Sequence, residues 1–199
     1  MAQALGKRPV GRPREFDEDK ALEAAMEAFW QKGYEATSLS DLCNCTGLHK
    51  GSLYQTFGSK HELFMRALRN YTDRTFAEVA SVISESQSPL ENIRAVMHLV
   101  INQASEESGC MMMNSLAELA PHDPEVKEAL QASGQRRLTA MTELVGKAKD
   151  AGEIRDARQP GEIALQLMVT LAGSATTMKG FLTREQALET VDNVLRSLT

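Results

Sequence analysis

The chain has 199 residues, of which 42% are hydrophobic and 5% aromatic, and its formal net charge at pH 7 is −5. A chain of this length can bury a core as one large or two small domains. No apolar run reaches the roughly 18 residues that a membrane-spanning helix needs, and no apolar signal-peptide segment opens the chain. We therefore expect a cytoplasmic globular protein without a membrane partner.

The charge is unevenly distributed along the chain. Residues 1–75 carry 11 Lys and Arg against 10 Asp and Glu, whereas residues 76–199 carry 11 against 17. An acidic protein of this kind does not coat nucleic acid, but a local basic surface on its N-terminal part remains compatible with nucleic-acid binding. The two parts of the chain are thus expected to face different partners.

Hydrophobic periodicity predicts helices along the whole chain after residue 16. The first helix is expected to be capped by Asp17 and stopped by Gly33, and a serine-rich linker ending at Pro89 follows the fourth. The predicted helices lie at about 17–33, 39–46, 50–57, 60–83, 90–107, 110–120, 124–150, 160–179 and 184–198. Because no period-2 run of β-branched residues occurs, the fold class is predicted to be all-α.

The most informative segment spans residues 38–64. Two short helices joined at Gly47, where glycine permits a sharp turn, have the proportions of a helix-turn-helix. On the second helix, Lys50 suits a phosphate or guanine, Gln55 an adenine edge and Tyr54 the DNA backbone, while Lys60 opens the next helix beside backbone N–H groups. The candidate DNA contacts in this segment are Ser38, Ser40, His49, Lys50, Ser52, Tyr54, Gln55, Thr56 and Lys60. The alternative is a helical hairpin whose outer face is simply polar.

The run from Ser38 through Gly47, Lys50-Gly51-Ser52-Leu53-Tyr54, Phe57, Ser59-Lys60 and Leu63 resembles the DNA-binding region of the TetR family of bacterial transcriptional regulators. The resemblance covers residues 16 to about 64. It implies an N-terminal three-helix helix-turn-helix domain, a larger helical ligand-binding and dimerisation domain, and a homodimer that releases double-stranded operator DNA when a ligand binds. Cys43, Cys45, Thr46 and His49 depart from the small residues usual at their positions, so the operator preference is not carried over.

A basic arm precedes the first helix. The segment "VGRPR" at 10–14 resembles arms that bind the minor groove, and Arg12 and Arg14 are the expected contacts because arginine favours narrow, A·T-rich grooves. The alternative is a solvating tail. The expected domains are this arm at 1–14, the DNA-binding domain at 15–75 and the ligand-binding and dimerisation domain at 76–199.

The C-terminal part is rich in methionine, which can form an adaptable apolar lining between helices. The expected ligand-binding residues are Met97, Ile101, Cys110, Met111, Met113, Leu116, Met141 and Met168. Ordinary core packing is the alternative for each of them. In the last two helices, we expect a homodimer interface that pairs Leu165, Met168, Val169 and Ala172 with Leu188, Val191, Leu195 and Leu198, where Gly173 and Ala175 allow close approach.

Cys110 follows Gly109 at a predicted helix start, where the helix dipole can make a thiol reactive. A Gly-Cys pair at a similar place recurs in regulators of the resembled family, including electrophile-responsive ones. The alternative is a buried, inert cysteine. Since the three cysteines of the chain show no paired spacing, neither a disulfide framework nor structural zinc is expected.

Enzyme signatures are incomplete. The segment 61–65 opens like the zinc motif HExxH but ends in methionine, and Glu118 and His122 are separated by a proline that interrupts the helix. We therefore expect no catalysis, no metal and no cofactor. The sequence predicts a ligand-responsive transcriptional repressor whose inducer is apolar or electrophilic. The alternative is a helical small-molecule carrier or enzyme with an incidental N-terminal hairpin.

Overall fold

The computed structural model describes residues 17–199, and within this range the regular structure is entirely α-helical. The helices are α1 Glu18–Lys32, α2 Leu39–Thr46, α3 Lys50–Phe57, α4 Lys60–Ser81, α5 Pro89–Gln103, α6 Met111–Glu118, α7 Pro124–Asp150, α8 Pro160–Thr177 and α9 Arg184–Arg196. The predicted all-α fold class is confirmed. No helix among residues 17–199 is both long and apolar enough to cross a membrane.

Local capping chemistry sets the ends of the first helices. Ser38 and Ser59 each form a capping box. The serine hydroxyl accepts a hydrogen bond from the backbone N–H three residues later, and the acidic side chain of that later residue accepts one from the backbone N–H of the serine. Between α2 and α3, Gly47 adopts a φ of 69°, which a residue with a side chain rarely takes. The predicted sharp turn of the helix-turn-helix is therefore present.

The main difference from the predicted helix ends occurs after α5. This helix stops at Gln103 instead of continuing to 107, because Ser105 and Gly109 exchange two backbone hydrogen bonds of 3.1 and 2.7 Å. Gly109 takes a φ of 66° in this turn. After this turn, Cys110 is the residue directly before α6.

The buried residues form two cores. The first contains α1 to α4, where Leu42, Leu53 and Phe57 hold the helix-turn-helix, but it also includes residues of α6 and the beginning of α7 such as Met111 and Val126. The second core joins α5, α7, α8 and α9. The first core contains residues from both sides of residue 76, so the two parts of the chain pack against each other. The expected domain boundary at 75/76 stays a prediction.

Helix α4 extends from one core to the other. Leu63 and Leu68 near its beginning are buried in the first core, and Val79 near its end packs against the second. Over 22 residues a helix spans about 33 Å. Helix α4 therefore connects the helix-turn-helix mechanically with the C-terminal helices.

Candidate nucleic-acid interface and ligand cavity

The two faces of α3 differ sharply in exposure. Leu53 and Phe57 are 2% and 3% exposed and anchor the helix, whereas Lys50, Tyr54 and Gln55 lie on the opposite, solvent-facing side. Tyr54 is 41% exposed, which is high for a tyrosine. The Lys50 ammonium lies 5.9 Å from the centre of the Tyr54 ring. This face offers donors and an aromatic ring whose side chains make no hydrogen bond to another of the residues 17–199.

The other residues expected to contact DNA surround this helix. Ser40, His49 and Ser52 are exposed. Thr56 is half-buried. Ser38 uses its hydroxyl in the capping box of α2, where it contacts the Asp41 carboxylate at 2.6 Å. Ser38 is thus held by structural hydrogen bonds, whereas Ser40, His49 and Ser52 are exposed to solvent.

Lys60, the first residue of α4, is half-buried, and its ammonium lies 4.3 Å from the centre of the Tyr34 ring. A cation held over an aromatic ring is positioned while it remains charged. On α2, the Asp41 carboxylate is bonded to Lys32 and to Ser38, and these bonds hold the pKa of the Asp41 carboxyl well below its ordinary range. The arm residues Arg12 and Arg14 lie outside the described residues.

A cavity of about 140 Å³ opens where α4, α5, α7 and α8 meet the beginning of α6. Four of the expected ligand-binding residues line it, namely Cys110, Met113, Met141 and Met168. Most of the remaining lining is aliphatic or aromatic, with Phe76, Val96, Val100 and Leu171 among it. Such a partly open apolar space between helices is typical of a small-molecule site.

The other four expected ligand-binding residues do not line this cavity. Met97 and Ile101 are fully buried in the second core, and Met111 is 1% exposed in the first. Leu116 is 46% exposed on the outer side of α6. On α5, Val96 and Val100 face the cavity. Met97 and Ile101 follow them by one position, about 100° further around the helix, and therefore point into the second core. Periodicity identifies a buried face but not which part of it borders an open space.

Sequence reasoning missed the polar wall of the cavity, which consists of Tyr71, Thr75 and Arg137. The Arg137 Nη2 atom donates to the Thr72 carbonyl oxygen at 2.9 Å and to Thr75 Oγ1 at 2.8 Å. Burial lowers the pKa of the guanidinium. The available signal was helical spacing, because Arg137 lies four residues before Met141 and hence on the same face of α7.

Tyr71 is 6% exposed, and its hydroxyl donates to Cys110 Sγ at 3.6 Å. Burial, and then the neighbouring Cys110, raise the pKa of Tyr71 above its ordinary value. The phenol therefore stays protonated and remains a hydrogen-bond donor at neutral pH. Cys110 is thus a half-buried cavity residue in contact with a phenol, and its predicted reactivity stays a prediction.

Two contacts tie α6 to the DNA-binding helices. Trp30 Nε1 on α1 donates to the Gly109 carbonyl oxygen at 3.1 Å, just before α6. At the other end of α6, the Glu118 carboxylate accepts from the backbone N–H groups of Tyr34 and Glu35 at 3.0 and 2.9 Å. The helix that carries Met113 into the cavity is therefore fixed to α1 and to the segment leading into α2.

The side chains of the incomplete metal motifs are held in other contacts or exposed. Glu118 is engaged with backbone amides, His122 is exposed, and His61 contacts Asp123 at 2.8 Å. Among the described residues 17–199, no three His, Cys, Asp or Glu side chains lie together as metal ligands would.

The outer face of α8 is apolar and exposed, and the expected interface needs a correction. Leu165 and Val169 are 54% and 63% exposed. By contrast, Val191, Leu195 and Leu198 are buried within the same chain, at 0%, 0% and 1%, and cannot reach a partner. Helix α9 uses its apolar face to complete the second core, so only the half-buried Leu188 of the expected set on α9 remains at its surface.

Comparison with known proteins agrees with this architecture. A family model described as bacterial regulatory proteins, tetR family, matches residues 21–67, and a tetracyclin repressor-like C-terminal domain matches residues 89–195. The transcriptional repressor ComR of Escherichia coli (strain K12) is 29% identical over 194 residues, covering 96% of this chain and 92% of its own. The transcriptional regulator YezE of Bacillus subtilis (strain 168) is 34% identical over 148 residues, covering 73% and 76%.

A solved structure is similar over nearly the full length. It contains a cysteine mutant of the TetR family transcriptional regulator CifR in complex with a 26-base-pair double-strand operator DNA, with a TM-score of 0.82 and 29% identity. The match covers 95% of this chain and 100% of that one. These relatives are transcriptional regulators and not enzymes. The chain therefore belongs to the TetR family of bacterial regulatory proteins and is a transcriptional regulator that binds double-stranded DNA.

Proposed function

We propose that the protein is a cytoplasmic, homodimeric repressor that binds operator DNA through α3 and releases it when a small molecule fills the cavity between α4, α5, α7 and α8. The observation that carries this proposal is the shared wall. Helices α4 and α6 both border the cavity, and both are bonded or packed to the helices of the DNA-binding region.

The exposed face of α3 supports the DNA-binding half of the proposal. A recognition helix placed in the major groove presents its polar side chains to base edges and phosphates. Lys50, Tyr54 and Gln55 share that face and are free of structural bonds to other helices. Since α3 carries one lysine, the predicted contacts of Arg12 and Arg14 would add phosphate or minor-groove binding from the arm.

The exposed face of α8 supports dimerisation. Leu165, Val169 and Gly173 recur every four residues on one side of the helix, and a Cβ atom added at Gly173 would meet open space in the single chain. Exposed apolar surface of this kind marks an interaction site. A two-fold dimer formed there would bring the same surface of each chain together and pair two helix-turn-helix regions.

Ligand release follows from linkage. A ligand can shift the equilibrium between DNA-binding and DNA-free forms only by binding one form more tightly. Filling the cavity displaces the wall residues of α4 and α6, and the bonds from Glu118 to Tyr34 and Glu35 transmit the displacement to the helix-turn-helix. Such a movement changes the distance between the two recognition helices without touching the DNA surface.

A DNA-binding assay tests the proposal. Labelled DNA from the region flanking the protein's own gene is titrated with the wild-type chain and with Lys50→Ala and Tyr54→Ala. We expect both variants to lose at least about tenfold in operator affinity, since each removes a DNA contact. Lys147→Ala, which removes an equally exposed charge from α7, is the matched control and should bind normally. Equal affinity of all four chains for the operator would overturn the assignment of α3.

A further inference from the structure

The cavity has an uneven distribution of charge. Arg137 on α7 is the one charged residue in its described lining, and α8 contributes the apolar side chains of Met168 and Leu171. Gln103, another polar residue of the lining, already donates to Glu78 at 2.7 Å. The cavity surface is thus mostly hydrocarbon, and its small polar part includes the side chains of Arg137, Tyr71 and Thr75.

The Arg137 guanidinium is incompletely satisfied. Its Nη2 atom makes two hydrogen bonds, to Thr72 and Thr75, but Nη1 and Nε make none to any described residue, and Nε is shielded from solvent. The nearby carboxylate of Asp73 is bonded instead to Arg136, at 2.8 Å. No carboxylate within the described range pairs with Arg137. A partly buried cation without a counter-ion is costly, which leaves a favourable place for an anion.

Tyr71 supplies a second donor beside this cation. Within residues 17–199, its hydroxyl has one hydrogen-bond partner, the Cys110 sulfur at 3.6 Å, and sulfur is a weak acceptor. A phenol kept protonated by burial can donate more strongly to an oxygen anion. An ionised carboxylate accepts only, so it matches this wall of donors.

We infer that the ligand is a small apolar organic acid, whose carboxylate binds Arg137 and Tyr71 and whose hydrocarbon part lies against Met141, Met168 and Leu171. This inference rests on the proposed function, because it names the ligand class for the same cavity. A cavity of about 140 Å³ has the size of one that encloses benzene. The hydrocarbon part is therefore about one aromatic ring or a chain of about six carbons.

The same bond arrangement gives the acid a way to act on DNA binding. Arg137 ties α7 to the backbone of α4 through Thr72 and to the side chain of Thr75. A carboxylate that binds the unpaired side of the guanidinium draws the Nη2 atom away from these two acceptors. Binding of the acid thus loosens the tie between α7 and α4, the helix whose beginning packs against the helix-turn-helix.

The first test compares matched acids and amides on the DNA-free wild-type chain. Benzoate, hexanoate and octanoate are titrated by calorimetry and thermal shift at neutral pH beside benzamide, hexanamide and octanamide, which have nearly the same shape but no charge. At least one acid should bind saturably and its amide at least about tenfold more weakly. Equal binding of acid and amide, or no binding by any of the acids, would overturn the inference.

Variants then locate the charge. Arg137→Gln should remove the preference for acid over amide, whereas Arg137→Lys should retain part of it, because lysine keeps the charge but not the planar donor geometry. Arg136→Gln, which removes the neighbouring exposed arginine, should keep the full preference. An unchanged preference in Arg137→Gln contradicts the inference. If that variant does not fold, the acid and amide comparison on the wild-type chain still decides.

Operator binding separates the two proposals. If neutral apolar compounds bind and release the operator but the acids do not bind, the proposed function stands and the ligand class is wrong. If the acids bind through Arg137 but the chain does not bind operator DNA, the ligand class stands and the proposed function is wrong.

Discussion

The residues expected to contact DNA differ in how many contacts they already make within the protein. Lys50 and Gln55 point away from the protein, whereas Lys60 rests over the Tyr34 ring and Ser38 is held in a capping box. A side chain that is free of the protein can report the identity of a base, and one already bonded acts mainly by position. Mutations at these positions should therefore have different signatures.

Gln55→Ala should relax base preference at one position of each half-site. A bidentate amide contact to adenine discriminates against other bases by about 1–3 kcal/mol, so the variant should lose up to that amount for the preferred base only. Affinities for a set of operators, each changed at one base pair, measure this. If the ranking of bases at every position is the same as in the wild type, Gln55 does not read a base.

The burial of Tyr71 predicts that the free energy of unfolding depends on pH in the alkaline range. Burial raises the pKa of Tyr71 above its ordinary value of 10.0. The unfolded chain then releases the proton first, so the contribution of Tyr71 to folding is full below pH 10 and is lost as the pH rises above it. Urea unfolding at stepped pH should show the free energy of unfolding of Tyr71→Phe falling less steeply above pH 10 than that of the wild type. Parallel curves there would show that Tyr71 is not buried in this way.

At the scale of elements, α6 stands out as a short link with a bond at each end. Its beginning is fixed through Gly109 to Trp30, its end through Glu118 to Tyr34 and Glu35, and Met113 between them lines the cavity. Helix α4 connects the two cores of the chain. The structure adds α6 as a second connection.

Glu118→Ala should test this link. The substitution leaves the two backbone N–H groups without their acceptor, which should lower the free energy of unfolding by about 1–3 kcal/mol. It should also weaken the effect of a ligand on operator affinity while ligand binding itself is retained. Glu128→Ala, which removes an exposed glutamate from α7, is the control. If ligand-induced release is undiminished in Glu118→Ala, the bonds from Glu118 to Tyr34 and Glu35 do not carry the signal.

The elements that the sequence predicted well are those set by local chemistry. The starts at Asp17, Ser38, Ser59 and Pro124 follow from capping side chains and proline, which act within one turn. The end of α5 was missed because hydrophobic periodicity does not reveal the turn that the two backbone hydrogen bonds between Ser105 and Gly109 form, or the bond from Trp30 on α1 to that turn. The polar wall was missed because the pairing of Arg137 with α4 depends on how two distant helices pack.

At the scale of the whole molecule, the proposed function requires two chains. A dimer reads two half-sites in successive major grooves when its recognition helices lie about 34 Å apart. The exposed apolar face of α8 is the candidate contact, while α9 is committed to its own chain through Val191 and Leu195. The sequence predicted a dimer interface on the last two helices, and this stays a prediction. It could not show that α9 buries Val191 and Leu195 in its own chain while α8 leaves Leu165 and Val169 exposed, because both helices carry apolar residues at helical spacing.

Val169→Glu should separate the subunits. A two-fold interface would bring two added carboxylates near each other in an apolar contact, and the dimer should weaken at least about tenfold. Sedimentation over a range of concentrations measures the change, and operator affinity should fall with it. Leu116→Glu places the same charge at another exposed apolar residue, on α6, and should leave the dimer intact. A normal dimer in Val169→Glu would place the interface elsewhere.

The coupling of the cavity to DNA binding is tested most directly by the affinity of one ligand, found by thermal shift, for the free protein and for its operator complex. Release requires that the ligand binds the free protein more tightly, and reciprocity requires that the ligand weakens operator binding by the same factor. We expect the ligand to bind the operator complex about 5-fold to 150-fold more weakly, the range of typical coupling energies. Equal affinities for the free protein and the complex would contradict control of DNA binding through this cavity.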